Sequence, residues 1–219
     1  MAKLLKPSPD TCCCRAMLKD PPIRKLTEAV FGFALAVGAL SLTSANPQTE
    51  LQIVGGLLLF SLSFAILVVI WWGTSNLMSQ LNQEKSTTVS LNIALLFFVA
   101  IEPYLLNIQG TSQDLFPFTS TLYAIDMAFL LGISAGLCHI LLGEKKGTFT
   151  AHQLRYYTTS RNYQFVFAGL FLFSIVPQFA EWTLAGFSVR SVIWFVALGS
   201  SILLTSARNR NKQAQNAVS

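Results

Sequence analysis

Charge is scarce in this sequence. Asp, Glu, Lys and Arg make up 11% of its 219 residues, against roughly 25% in soluble domains. With 53% hydrophobic residues and a mean hydropathy of +0.53, that deficit argues against an ordinary soluble fold. Histidine is limited to two residues and cysteine to four, which leaves little for metal or redox chemistry. Cys12, Cys13 and Cys14 are adjacent, and Cys138 stands in a hydrophobic run. Adjacent cysteines do not build a disulfide framework, and there is no Cys-x-x-Cys pair with the partners a zinc site needs. The nucleophile elbow, the HExxH pair, the glycine-rich phosphate loop and paired intramembrane aspartates are all missing. The chain therefore reads as a non-enzyme with no cofactor and no metal. The carbonyl-filter sequence of conventional potassium channels is missing too.

What is present is a succession of long apolar runs. They predict an all-α integral membrane protein of six transmembrane helices, at about 23–43, 51–72, 89–106, 118–142, 162–179 and 183–205. Six spans of about 20 residues use roughly 120 residues, so loops are short and no second soluble domain fits. The organisation is a polar tail over 1–22, a transmembrane domain over 23–205 and a polar tail over 206–219. Asn46-Pro47 marks a turn, and Trp71-Trp72 is expected at a membrane interface. Pro103 and Pro177 fall near the ends of the third and fifth helices, 107–117 reads as a loop, and 144–161 as a basic connection. Thr43-Ser44-Ala45 loosely resembles a signal-peptide cleavage site, but the polar lead and five further apolar runs oppose that reading.

Fourteen of the fifteen Lys and Arg residues fall in the two tails, at the start of the first helix, and in the second and fourth connections. Arg190 alone falls on the other side. The bias predicts a multi-pass protein of the cell membrane with both termini cytoplasmic. The net charge of +5 then meets anionic lipid rather than nucleic acid. The cysteine triplet is an unmodified cytosolic tail or a site of acylation.

An ionisable or strongly polar group inside a span is costly and needs a reason. Glu28 lies one turn inside the first helix, with Arg24 four residues earlier on the same face. The two form a local ion pair or a node tying this helix to its neighbours. Asn92, Glu102 and Asp126 are the other intramembrane polar side chains singled out. Glu102, before Pro103 near the outer end of its helix, either snorkels to water or contributes to a cation-attracting ring. Asp126, about two turns into the fourth helix, is expected to face protein or a water cavity, as a structural hydrogen bond or a proton relay. His139 reads as a satisfied interfacial histidine. Gly132 and Gly136, four apart, permit close helix contact. In the first helix Phe33, Val37 and Leu40 share a face, as a packing stripe or as an apolar constriction.

Leu26-Thr27-Glu28-Ala29-Val30-Phe31-Gly32-Phe33-Ala34 resembles the opening of the TMEM175 potassium-channel family, where Phe-Ser-Asp precedes Ala-Val-Phe-Ala-Ile-Ala. Leu-Thr-Glu stands here for Phe-Ser-Asp, and Pro22 occupies the position of the family's arginine, with Arg24 and Lys25 nearby. Ser61-Leu62-Ser63-Phe64 with Ile70-Trp71-Trp72, the run Leu91-Asn92-Ile93-Ala94-Leu95-Leu96-Phe97-Phe98 leading to Pro103, and Leu122-Tyr123 are similar to the family's second, third and fourth helices. The histidines usual after the tryptophan are absent. The resemblance covers the first four helices well and the last two in general character.

The resemblance implies a homotetramer of six-helix subunits passing potassium ions. The first helix of each subunit would line the central pore. Bulky side chains one turn past the motif would narrow it, which maps to Phe33 and then Val37 and Leu40. Arg24, Thr27 and Glu28 would form the motif network holding the cytoplasmic end of that helix. Competing readings are a carrier in which Asp126 and Glu102 titrate during transport, and a non-conducting membrane scaffold.

Overall fold

A computed structural model of the protein describes residues 22–44, 49–82, 85–111, 116–184 and 187–197. The helices are α1 (Pro22–Ser44), α2 (Glu50–Met78), α3 (Ser86–Thr111), α4 (Phe116–Glu144), α5 (Ala151–Phe173) and the short α6 (Gln178–Glu181). Thr183–Leu184 and Phe187–Ser188 pair as a two-residue antiparallel ribbon, with Thr183 opposite Ser188 and Leu184 opposite Phe187. A seventh helix, α7, covers 189–197. The tails with Cys12, Cys13 and Cys14, the Asn46-Pro47 turn and positions 198–205 lie outside the described residues.

Among the described residues, three helices are long and apolar enough to cross a membrane: Gln52–Met78, Ser86–Ile108 and Phe116–Glu144. α2 and α5 start where a polar side chain answers their free N–H groups. Thr49 accepts from the Gln52 amide at 3.3 Å ahead of α2, whose first turn carries Glu50. Thr150 and Gln153 form a reciprocal capping box ahead of α5, through bonds of 3.3 and 3.0 Å.

α4 is the most buried of the three spans. It packs between α3 and α5, while α1 leans on α3 and α2. The core joins Leu62, Leu67 and Ile70 of α2 to Leu95 and Val99 of α3 and to Tyr123, Met127 and Leu130 of α4. The Trp194 ring of α7 closes one end against Tyr123 and Phe171, at centroid distances of 5.0 and 5.6 Å. Burying large rings and aliphatic chains from every layer makes one contiguous core.

Several expected boundaries move. α2 continues six residues past Trp72, so the tryptophan pair marks a depth along the helix and not its end. α3 runs through Pro103 to Thr111, which places 107–111 in helix and not in loop. Proline there removes only one intrahelical bond, to the Val99 carbonyl. α5 begins at Ala151 and ends at Phe173, so Arg155 and Arg161 are helical. Pro177 lies beyond α5 and heads α6. The last helix starts after the ribbon, at 189 and not at 183. Where α2, α3 and the start of α5 outrun the apolar stretch, loss of apolar character marks a change of solvent while backbone hydrogen bonding carries the helix on; the end of α5 and the start of α7 instead give way to α6 and the ribbon.

Candidate functional site: the outer face of α1 and its polar supports

α1 divides sharply by face. Phe31 and Ala34 are buried, at 1% and 2% exposure, and point into the core. On the opposite side Leu26, Ala29, Phe33, Ala36 and Leu40, spaced alternately three and four apart, are all exposed. Phe33 is 70% exposed and Leu40 64%. Val37 is half-buried at the margin of that face. The exposed face is apolar and mostly small, with Gly32 and Ala39 alongside. It differs from the exposed side of α2, where Ile53, Val54, Leu57, Leu58, Phe64, Val69 and Trp72 stand out.

The Arg24, Thr27 and Glu28 motif separates into two parts. Arg24 Nε and Glu28 Oε1 form an ion pair at 3.2 Å on the surface of α1. Thr27 is buried and turns the other way. Its hydroxyl donates to the Ile23 carbonyl at 2.8 Å and accepts from Asn92 Nδ2 of α3 at 2.9 Å. Thr27 and Asn92 therefore tie α1 to α3, whereas the Arg24–Glu28 pair lies within α1.

Glu102 does not snorkel. Because α3 extends to Thr111, Glu102 lies about 14 Å inside its end at 1.5 Å per residue, and its side chain is buried. Asp126, from α4, is buried beside it. Gly132 and Gly136 contact no neighbouring helix closely: a Cβ built at either meets nothing within 4 Å. His139 is exposed, with Nδ1 at 3.1 Å from Arg161 Nη1 of α5. At the same end Gln80 donates to the Tyr157 hydroxyl, and burial raises that phenol above its ordinary value while the bond from Gln80 opposes the shift. Lys85 Nζ and Glu144 Oε1 pair at 2.8 Å between the approach to α3 and the end of α4.

Sequence reasoning missed the role of Arg190, which it treated as a lone outer-side charge. The side chain is 1% exposed. Nε donates to the Ser174 carbonyl at 2.8 Å and Nη2 to the Ile175 carbonyl at 3.0 Å, both just past the end of α5. Nη1 donates to the Pro117 carbonyl at 3.0 Å, Ser120 Oγ at 2.5 Å and Thr121 Oγ1 at 2.9 Å, in the first turns of α4. A cation at the C-terminus of α5 also suits that helix's dipole. Trp194, one turn along α7, donates Nε1–H to Ser174 Oγ at 2.8 Å. The serine-rich start of α4 and the Arg-x-x-x-Trp spacing were the available signals.

Residues 23–103 match the family model described as endosomal/lysosomal potassium channel TMEM175. That segment holds α1, α2 and α3 as far as Pro103. The fold is similar to the crystal structure of a variant of the potassium channel MtTMEM175 in complex with a nanobody–MBP fusion protein. The TM-score is 0.61 and the identity 15%, over 88% of this chain and 95% of that one. A comparison with curated proteins finds no match. Its apolar helices make this a membrane protein, one whose segment from α1 to Pro103 carries the TMEM175 family pattern and whose fold is similar to that of the potassium channel MtTMEM175.

Proposed function

We propose that the chain is the subunit of a passive potassium channel, a homotetramer of the cell membrane with both termini cytoplasmic. In this reading the exposed face of α1 lines the pore, and Phe33, with Val37 and Leu40, forms an apolar constriction. The observation that carries it is the character of that face. Small residues at 29, 32, 36 and 39 suit close approach of helices within a membrane, and a bulky side chain projects beyond them every second turn, at Leu26, Phe33 and Leu40. A lipid-facing surface needs no small residues, as α2 illustrates. The described part of the chain resembles a potassium channel in fold, and the family whose pattern matches α1 is described as one.

A ring of Phe33 side chains would narrow the pore while offering a cation the negative faces of its rings. Arg24 and Glu28 would sit at the mouth, and the Thr27–Asn92 bond would fix the rotation of α1 against α3. The test is potassium efflux from liposomes containing the purified protein, with sodium-loaded and empty liposomes as controls. Selective efflux, increased or altered in selectivity by Phe33→Ala, supports the reading. Flux unchanged by Phe33→Ala removes Phe33 from the pore, and no flux of either ion favours a non-conducting scaffold.

A further inference from the structure

Glu102 and Asp126 raise a problem that conduction along α1 does not address. Their depths agree: Asp126 is ten residues inside the start of α4 and Glu102 nine inside the end of α3, each about 14 to 15 Å from the same end of the bundle. That is close to the middle of a hydrocarbon layer about 30 Å thick. Both side chains are more than nine-tenths buried, at 1% and 3% exposure. Independently of their being acids, Glu102 Oε1 and Asp126 Oδ2 are buried oxygens with no hydrogen-bond partner.

The surroundings supply no counter-charge among the described residues. Toward the outer end stands Tyr123, fully buried, its hydroxyl 2.9 Å from Ser63 Oγ of α2. One turn toward the inner end, Phe98 of α3 stacks on Phe129 of α4 at 5.0 Å. α5 offers no ionisable side chain between Arg161 and its end at Phe173 other than Tyr163, which is exposed. Arg190 of α7 is the cation nearest in register, and its donors are taken by Pro117, Ser120, Thr121, Ser174 and Ile175. Arg24 and Glu28 of α1 neutralise each other beyond the level of Asn92, which lies ten residues, or about 15 Å, from Glu102 along α3.

Two adjacent carboxylates, each with a buried oxygen that no donor reaches and with no cation beside them among the described residues, cannot both remain ionised in such a site. We propose that Glu102 and Asp126 form a proton-binding site between α3 and α4 at the middle of the bundle, which keeps a proton at neutral pH. The ligand is a proton added to a carboxylate oxygen, and no other group is consumed or released. The site stands apart from the α1 face, and its existence does not depend on whether that face conducts.

Infrared spectroscopy of the purified protein in lipid tests this directly, because exposed carboxyls are ionised at pH 7. Wild-type protein at pH 7 should show the carbonyl band of a protonated carboxyl, displaced on exchange into deuterium oxide. Glu102→Gln and Asp126→Asn, both near-isosteric, should each weaken or displace it, and the double substitution should abolish it. The band should persist in potassium, sodium or N-methylglucamine buffers alike. No band in wild type overturns the proposal, and this arm needs no variant to fold. A band that survives in the folded double variant assigns the proton elsewhere and also overturns it. A band seen only when potassium and sodium are withdrawn makes the site a metal-cation site, and equally overturns it.

Discussion

Replacing Arg190 with methionine should be the most damaging single substitution in the described chain outside α1. The side chain links three elements: its own helix α7, the carbonyls after α5, and the first turns of α4. Methionine roughly fills the volume but leaves Ser120 Oγ and the Ser174 and Ile175 carbonyls without these donors in a buried place. An unsatisfied buried polar group costs about 1–3 kcal/mol. Some of these acceptors have local alternatives: Ser120 also donates to the Pro117 carbonyl at 3.2 Å. Counting only the two terminal carbonyls of α5 gives a loss of roughly 2–6 kcal/mol, and the lower half is the safer expectation because such losses do not add. Arg190→Lys should restore only part of it, since a compact ammonium cannot span acceptors on opposite sides as a planar fork does. The assay is thermal unfolding of detergent-purified protein, followed by tryptophan fluorescence and by size-exclusion recovery. Trp194 reports locally because its indole shares Ser174 with the guanidinium. Methionine melting with wild type, or lysine restoring full stability, would refute the stapling argument.

Three further outcomes follow from the same contacts. A double-mutant cycle on Thr27→Val and Asn92→Leu should give a coupling of about 0.6–1.7 kcal/mol, the range of hydrogen bonds between membrane helices; additive melting shifts would mean that the bond does not hold α1. Gly132→Ala should leave stability unchanged or raise it by up to about 1 kcal/mol, because alanine is the better helix former and its methyl meets open space. A clear loss of stability or of oligomeric state on size exclusion would reveal a close contact at that glycine between subunits. Lys85→Ala should cost no more than about 1 kcal/mol in low salt, as befits a pair whose lysine is half-exposed, and a penalty that persists at high salt would show that the pair is more than a surface contact.

The membrane class, α1 and α4 were legible in the sequence because apolar length and turn residues speak directly to bilayer geometry. The TMEM175 pattern was legible from short strings in α1–α3, the region that the family model matches. Polarity misled at the ends. The run 151–161 is helical despite its charge, because Thr150 and Gln153 cap it, and that capping box is visible in the sequence once sought. Glu102 was placed too near the surface because Pro103 was taken as an end, although a proline costs an established membrane helix one bond. Asn92 and Thr27 were each noted, but their pairing depends on how α3 crosses α1, and no spacing within either helix encodes that. Arg190 was read by its charge alone, while its burial rests on three elements distant in sequence.

The pattern of ties distinguishes α1 from the rest of the bundle. α4, α5 and α7 are locked by a buried guanidinium, an indole bond and stacked rings, and α2 joins α4 through Ser63 and Tyr123. Breaking any of these hydrogen bonds strands polar groups in a buried place. α1 is attached to α3 by the Thr27–Asn92 side-chain bond together with the apolar contacts of Phe31 and Ala34. Apolar contacts tolerate small sliding and rotation better than directional bonds do, so the Thr27–Asn92 bond is the directional restraint printed between α1 and the rest of the bundle. In the proposed channel that restraint sets which face of α1 meets the pore. A rotation of α1 by one residue's angle, about 100°, would swap Phe33 for its neighbour Gly32 or Ala34 on the pore axis. The Thr27–Asn92 bond is what opposes such a turn. Its removal should therefore alter conductance more than melting temperature, and the reverse order of effects would place that restraint elsewhere.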